Sequence, residues 1–408
     1  VTASTPDVVR AAGVTRSAPG EGPLRRIGRA ATGSNVVVLT LLSVFSALVV
    51  GALIMVVTND TTLHAWSQFA SHPGRGFSAS WSLVYDAYGS LAAGAFESRY
   101  ALSETLVDAA PLILAGLAVA LTFKAGMFNI GAQGQIIAGA VMASLVAVEL
   151  TGVPTVVVLP VAVVAGFVGG AVGGAIPGLL KARTGAHEVI VTIMLNYVAL
   201  NLLQYLVGIR LFREPGQSNG VGKVTPVAAR LPHLAGDSVR VNLGILIALA
   251  VAAAVSWLLR NSTLGLRFRM IGANAEAART AGVDIKRMMT LVFLLAGGLA
   301  GLAGAIQVLG VDNQLVPSYE GDLGFTAITV ALLGRSSPIG VVLGSLLYGA
   351  LEAGGLAMQA KTGIPIDLIE VIQAVVVFFI AAPALIRDIY RIKGTGSGFR
   401  AFAGGWSS

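Results

Sequence analysis

The chain alternates long apolar runs with short polar gaps. Apolar runs cover 36–57, 104–123, 127–150, 154–180, 188–211, 241–259, 288–310, 338–358 and 366–386. Each is close to or above the ~20 residues that a helix needs to cross a bilayer. A tenth apolar piece, 324–333, is too short to span comfortably and is predicted to be a half-helix or a tilted, broken one. Alternation of apolar and polar residues with period two, the mark of an outer-membrane barrel, is not seen. The pattern therefore predicts an all-α polytopic membrane protein with about ten transmembrane segments, some of them short or broken. Between the first two runs, 58–103 is polar and aromatic, with Trp66, Trp81, Tyr85, Tyr88 and Tyr100. Trp and Tyr favour the membrane interface, which places part of this stretch along the outer surface.

Composition agrees with this picture. Hydrophobic residues make up 55% of the 408 and charged residues only 12%, with mean hydropathy +0.81. Soluble domains carry about a quarter charged residues. The runs follow one another closely, so one integrated helical bundle is predicted rather than several soluble domains. There is no cysteine, which excludes disulfides and thiolate metal sites. The net charge of +7 comes from basic residues beside the apolar runs, where they set topology; nucleic-acid binding is not implied. Residues 1–35 read as a basic, disordered cytoplasmic tail without a secretory leader, 36–386 as the transmembrane domain, and 387–408 as a second cytoplasmic tail. Ten crossings put both termini on one side. The inner segments then hold 19 of the 27 Lys and Arg and the outer ones 8, as the positive-inside rule requires. The outer loop 213–240 is the exception, carrying five basic residues with the flanking Arg210.

Small residues recur at spacing four, at Gly166, Gly170 and Gly174 and again at Gly297 and Gly301. That spacing lets membrane helices approach closely, and tight packing explains it without a further role. A faint similarity links NIGAQGQIIAGA at 129–140 with SPIGVVLGSLLYGA at 337–350, in keeping with two related halves.

Candidate chemistry lies where polar residues interrupt the apolar runs. The stretch 123–139 sets Asn129, Gln133 and Gln135 among glycines at the start of one run. In a membrane such amides face protein, a cavity or a ligand. They either line a substrate path or hold the bundle together; as donors and acceptors, neutral amides suit hydroxyl-rich or heterocyclic ligands. In 188–211, Tyr197, Asn201 and Gln204 share one helical face, and Glu188, Thr192 and Asn196 form a neighbouring stripe. Phe325, on the short segment, is expected to face the same path. Glu352 and Glu370 lie in or near apolar runs, where carboxylates either couple ion movement or sit at helix ends. His187–Glu188 lacks the second histidine of a metalloprotease helix, and no phosphate-binding loop exists: Gly222–Lys223 is followed by Val224. ATP hydrolysis would have to occur on another polypeptide. The loop 260–287 is basic, helix-permissive over 275–281 and broken by Gly272 and Gly282, so it suits either a partner's groove or plain solvent.

Four stretches carry a resemblance: AGMFNIGAQGQ, HEVIVTIMLNY, GANAEAARTAGV and GFTAITVALLGRSSPIG. Together they resemble permease subunits of bacterial ABC importers of the branched-chain amino acid/simple-sugar superfamily, most of all nucleoside (guanosine-type) permeases, over about 95–386. The resemblance implies a plasma-membrane pore subunit that moves a nucleoside or similar small polar solute. It implies a second homologous permease, a cytoplasmic ATPase dimer that binds the ATP, and an extracytoplasmic substrate-binding lipoprotein; no cofactor is implied for this chain itself. It makes 260–287 the coupling loop. There Glu276, Ala277, Ala278 and Gly282 match an EAA-x-x-x-G core, with Asn274 just before it and Arg279 within it, and the usual Leu-Pro ending is missing. Permeases for simple sugars or branched-chain amino acids, and an ion-coupled secondary transporter, remain the alternatives.

Overall fold

The computed structural model describes residues 34–69, 72–216, 220–236, 238–316, 323–381 and 390. The two predicted tails lie almost wholly outside the described residues; of them Ser34 and Asn35, at the start of the first helix, and Tyr390 are described, and the Tyr390 hydroxyl lies 2.9 Å from the Ser46 hydroxyl. The described chain is helical. In order the helices are α1 Ser34–Thr58, α2 Asp60–Ser67, α3 Pro73–Phe96, α4 Arg99–Lys124, α5 Ala132–Glu149, α6 Thr155–Thr184, α7 Glu188–Gly208, α8 Gly244–Asn261, α9 Thr263–Ala273, α10 Ala275–Thr280, α11 Ile285–Ile306, α12 Leu323–Leu333, α13 Pro338–Thr362 and α14 Asp367–Ala381. A π-helical turn, Gln307–Asp312, extends α11. Among the described residues eight helices are long and apolar enough to cross a membrane: α1, α4 to α8, α11 with its π turn, and α13. With the short α12 and with α14 they account for the ten predicted segments.

α4 forms the centre. Ile113, Leu114, Ala115, Leu117, Ala118 and Val119 have no exposed surface, and Pro111 is accommodated inside the helix. α6 and α11 make the closest pair. A Cβ added at Gly170 would overlap the Gly297 carbonyl, one at Gly174 the Phe293 carbonyl, and one at Gly301 the Gly166 carbonyl. The glycine spacing is therefore a seam where two backbones touch.

Two stretches hold more helix than the apolar runs foretold. The polar and aromatic stretch 58–103 contains α2 and the 24-residue α3. α3 buries Ala87, Ser90 and Ala95, and its Gly94 and Leu91 lie against Ala357 and Gly354 of α13. Its exposed face carries Phe77, Trp81 and Tyr85, while Arg75 and Asp86 lower the mean hydropathy, so the run length of apolar residues missed a helix that the 3.6-residue period contains. The loop 260–287 likewise holds α9, capped by the Ser262 hydroxyl, which accepts from the Gly265 N–H at 2.9 Å. Leu264, Phe268 and Ile271 give α9 its inward stripe.

The ends of the bundle are distinct. At one, Gly272 of α9 packs against the Lys124 carbonyl and Gly126. At the other, the 209–243 connection folds onto the end of α11: the Gly222, Thr225 and Leu231 N–H groups donate to Leu315, Asn313 and Leu309 carbonyls at 2.7–2.8 Å. There Arg240 pairs with Glu104 at 2.9 Å.

Candidate functional site

The polar interruption after α4 is not helical. Gly126, at φ +72°, turns the chain, and five residues pass before α5 begins at Ala132. The break seen in the sequence is thus real, although α5 starts later than the apolar run. The amides around it are buried and directed at one another. Asn129 Nδ2 donates to Gln135 Oε1 at 2.9 Å, and Gln135 Nε2 returns a bond to Asn129 Oδ1 at 3.3 Å. The same Oδ1 accepts the Gly131 N–H at 3.1 Å. From α7, Asn196 Oδ1 accepts the Gly134 N–H and its Nδ2 donates to the Ile130 carbonyl, both at 2.8 Å. Gln133 Oε1 accepts the Gly324 N–H of α12 at 2.7 Å. Asn129, Gln133, Gln135 and Asn196 are each 0–4% exposed. Backbone groups freed by the helix break must be satisfied in hydrocarbon, and these side chains do it. Gly134 allows the approach: a Cβ there would sit 3.0 Å from Asn196 Oδ1 and 3.1 Å from the Leu195 carbonyl.

α7 separates the two stripes foreseen on it. Glu188, Thr192 and Asn196 face inward, with Glu188 paired to Lys181 at 2.5 Å across the α6–α7 turn. Tyr197, Asn201 and Gln204 point outward; Tyr197 is 60% exposed, and Asn201 Nδ2 donates to the Tyr197 carbonyl at 2.7 Å. Phe325, the residue after the Gln133-bonded Gly324, is exposed as well. The eight residues expected on a path thus fall into two groups. Asn129, Gln133, Gln135 and Asn196 form a buried lock; Tyr197, Asn201, Gln204 and Phe325 lie on the surface of the single chain. Two surface grooves of about 370 and 360 Å3 border α3, α4 and α13 rather than the lock.

Removing the Asn196 amide tests the lock. Asn196→Leu leaves the Gly134 N–H and the Ile130 carbonyl buried and unpaired, at about 1–3 kcal/mol for each group. Thermal denaturation of the purified protein should show a clear loss of stability for Asn196→Leu and almost none for the exposed Tyr197→Leu. Equal melting of the two variants would contradict the lock.

The coupling residues are arranged as a short exposed helix, α10. Asn274 Oδ1 accepts from the Ala277 N–H at 3.0 Å and caps it. Glu276 and Arg279 pair at 3.4 Å on its outer surface, 77% and 68% exposed, and Ala277 is exposed beside them. Ala278 is 1% exposed and anchors the helix. Gly282, at φ +80°, ends it, and the Val283 N–H returns to the Ala278 carbonyl at 3.0 Å. Two glycines make contacts that the sequence reading did not foresee: Gly272, read as a break in the loop, and Gly324, read as the start of the short segment. Gly272 ties the α9–α10 unit to the break at Gly126, and Gly324 ties α12 to Gln133. Their only sequence signal was a glycine beside a polar motif.

Known proteins are similar in sequence over most of this chain. The family described as branched-chain amino acid transport system / permease component matches residues 101–381. The guanosine ABC transporter permease protein NupP of Bacillus subtilis is 33% identical over 86% of this chain and 94% of its own. The nucleoside ABC transporter permease protein NupB of Lactococcus lactis is 31% identical over 74% of this chain and 84% of its own. The glucose ABC transporter permease protein TsgB13 of Haloferax volcanii is 35% identical over 75% and 82%.

Proposed function

We propose a function from one premise: this chain belongs to the branched-chain amino acid transport system permease family, whose members are membrane subunits of ABC transporters. It is a multi-pass transport subunit and not an enzyme; ATP is hydrolysed by a partner, and an extracytoplasmic protein delivers the solute. Our reading is that the solute is a neutral nucleoside, and that it crosses between this chain and a second, related permease in the bacterial plasma membrane. Both termini would then be cytoplasmic, with α10 facing the ATPases.

One observation carries the path. After Glu188, α7 has no charged residue, yet Tyr197, Asn201 and Gln204 lie exposed on it among Met194, Val198, Leu202 and Tyr205. A polar stripe turned to lipid is costly, so it faces a protein partner and the space between. Hydroxyl and amide groups there pair with ribose hydroxyls and base edges. The buried lock supports the same substrate class. The Gly131, Gly134 and Gly324 N–H groups at the breaks are taken by neutral amides. Half-helix starts that would otherwise attract a carboxylate are thereby occupied. The glucose-transporting relative supports a sugar as the second reading.

The test is uptake into vesicles holding the assembled transporter. ATP-dependent import of a labelled nucleoside should be blocked by unlabelled nucleosides, and weakly or not at all by glucose, ribose or leucine. Import inhibited by glucose alone would replace the nucleoside reading with the sugar one, and import driven by an ion gradient without ATPase would overturn both.

A further inference from the structure

Two helices begin at one point inside the bundle. α12, as described, has 11 residues, about 16 Å at 1.5 Å per residue, which is about half the thickness of a bilayer. α5 starts only after the non-helical 127–131, and its first turns cross α11, where a Cβ on Gly304 would overlap the Ile136 carbonyl. Gly324 of α12 lies bare against the start of α5: a Cβ there would fall 2.6 Å from Gln133 Cα and 2.7 Å from its Cβ. The Gln133 side chain closes this contact by accepting the Gly324 N–H at 2.7 Å.

The helices joined there keep largely different main neighbours. α5 packs mainly on α6, α11 and α7, whereas α12 packs mainly on α4, with smaller and similar contacts to α13, α14 and α5 itself. The Asn129 and Asn196 amides bind the start of α5 to the preceding segment and to α7. That segment begins at Gly126, against Gly272 of the unit carrying α10. The segment 127–131 therefore lies between the α9–α10 unit and the start of α5, and the Gln133–Gly324 bond joins that start to α12.

We propose that this bond is a latch: Gln133 holds the two half-helix starts together in the resting transporter, and the bond breaks when ATP closes the partner subunits. Gln133 acts as a positioning residue through its acceptor oxygen and not through contact with solute. A neutral hydrogen bond suits the role, because its net strength is small enough to be exchanged in each cycle. The proposal rests on the importer reading but not on the identity of the solute.

Hydrogen exchange of the assembled wild-type transporter reads the latch directly. The peptide containing Gly324 should be protected without nucleotide and exchange several-fold faster after vanadate trapping. Gln133→Leu, which keeps the bulk and loses the acceptor, should exchange rapidly in both states and raise the ATP hydrolysed per solute imported several-fold. Gln133→Glu keeps an acceptor oxygen at the same reach and should restore both protection and coupling, which a loss of packing alone would not explain. Identical wild-type exchange in the two states overturns the latch. So does a wild-type ATP-to-solute ratio in Gln133→Leu, or a Gln133→Glu variant as impaired as Gln133→Leu. If Gln133→Leu does not assemble, the wild-type comparison decides alone. Nucleoside uptake by the same wild-type sample separates the two readings: uptake with unchanged exchange defeats only the latch, and changed exchange without nucleoside uptake defeats only the substrate assignment.

Discussion

Gly170→Leu is expected to remove the folded protein from the membrane altogether. A Cβ at this position would overlap the Gly297 carbonyl and stand 2.5 Å from Gly301 Cα and 2.6 Å from Gly301 N. These are backbone atoms of α11, so no rotamer change can relieve the clash. The surrounding glycines interlock in the same way, Gly174 against Phe293 and Gly301 against Gly166, so the helices cannot slide to a looser register. Overpacking one site in a core typically costs ~1–3 kcal/mol, and a leucine driven between two touching backbones exceeds that range. Such a loss is comparable with the whole stability of a domain, about 5–15 kcal/mol. Gly173→Ala provides the control. The atoms nearest its Cβ would be Ala138 Cβ and Gln135 Cγ at 3.7 Å and the Gln135 Cα at 3.8 Å, which is ordinary contact. Size-exclusion profiles of detergent-extracted protein should show a normal peak for Gly173→Ala and aggregate or nothing for Gly170→Leu. A normal peak for both would mean that α6 and α11 do not pack as described.

Charge reversal on α10 should have the second largest effect, and on transport alone. Glu276→Lys and Arg279→Glu each break a pair in which both side chains are mostly exposed. Exposed pairs contribute little to stability, so both variants should fold and reach the membrane. Buried in a partner's groove, the same charges would be desolvated and opposed by fixed groups, and reversal there costs several kcal/mol. Uptake should therefore fall by at least about tenfold, the factor that ~1.4 kcal/mol produces. The double reversal, Glu276→Lys with Arg279→Glu, separates the causes. It restores the pair within α10 but presents the wrong sign to a partner. Full recovery of uptake would show that the pair only stabilises α10, and wild-type uptake in the single variants would remove α10 from coupling.

Much of the architecture could be read before the structure. Run length and hydropathy located the ten apolar segments, because a membrane helix must satisfy its own backbone and display apolar side chains over ~20 residues. The short segment at 324–333 and the break near Asn129 were legible for the same reason. α10 was legible because its signals are local: an Asn cap, an alanine-rich turn and a terminating glycine occur within a few residues. α3 was not, since its aromatic and charged residues share one exposed face that only an apolar partner surface on α13 makes compatible with a long helix.

The sequence by itself determined that this is a helical membrane protein, where its helices break, and which residues on α7 share a face. Periodicity cannot say what lies opposite a face. Tyr197, Asn201 and Gln204 read no differently from Asn196 in the sequence, yet they are exposed and Asn196 is buried. The tertiary structure alone decided this, because the partners come from distant parts of the chain: Asn196 meets Gly134 across 62 residues and Gln133 meets Gly324 across 191. A buried amide is placed by the backbone group it must satisfy, and which backbone group that is depends on how the whole bundle packs.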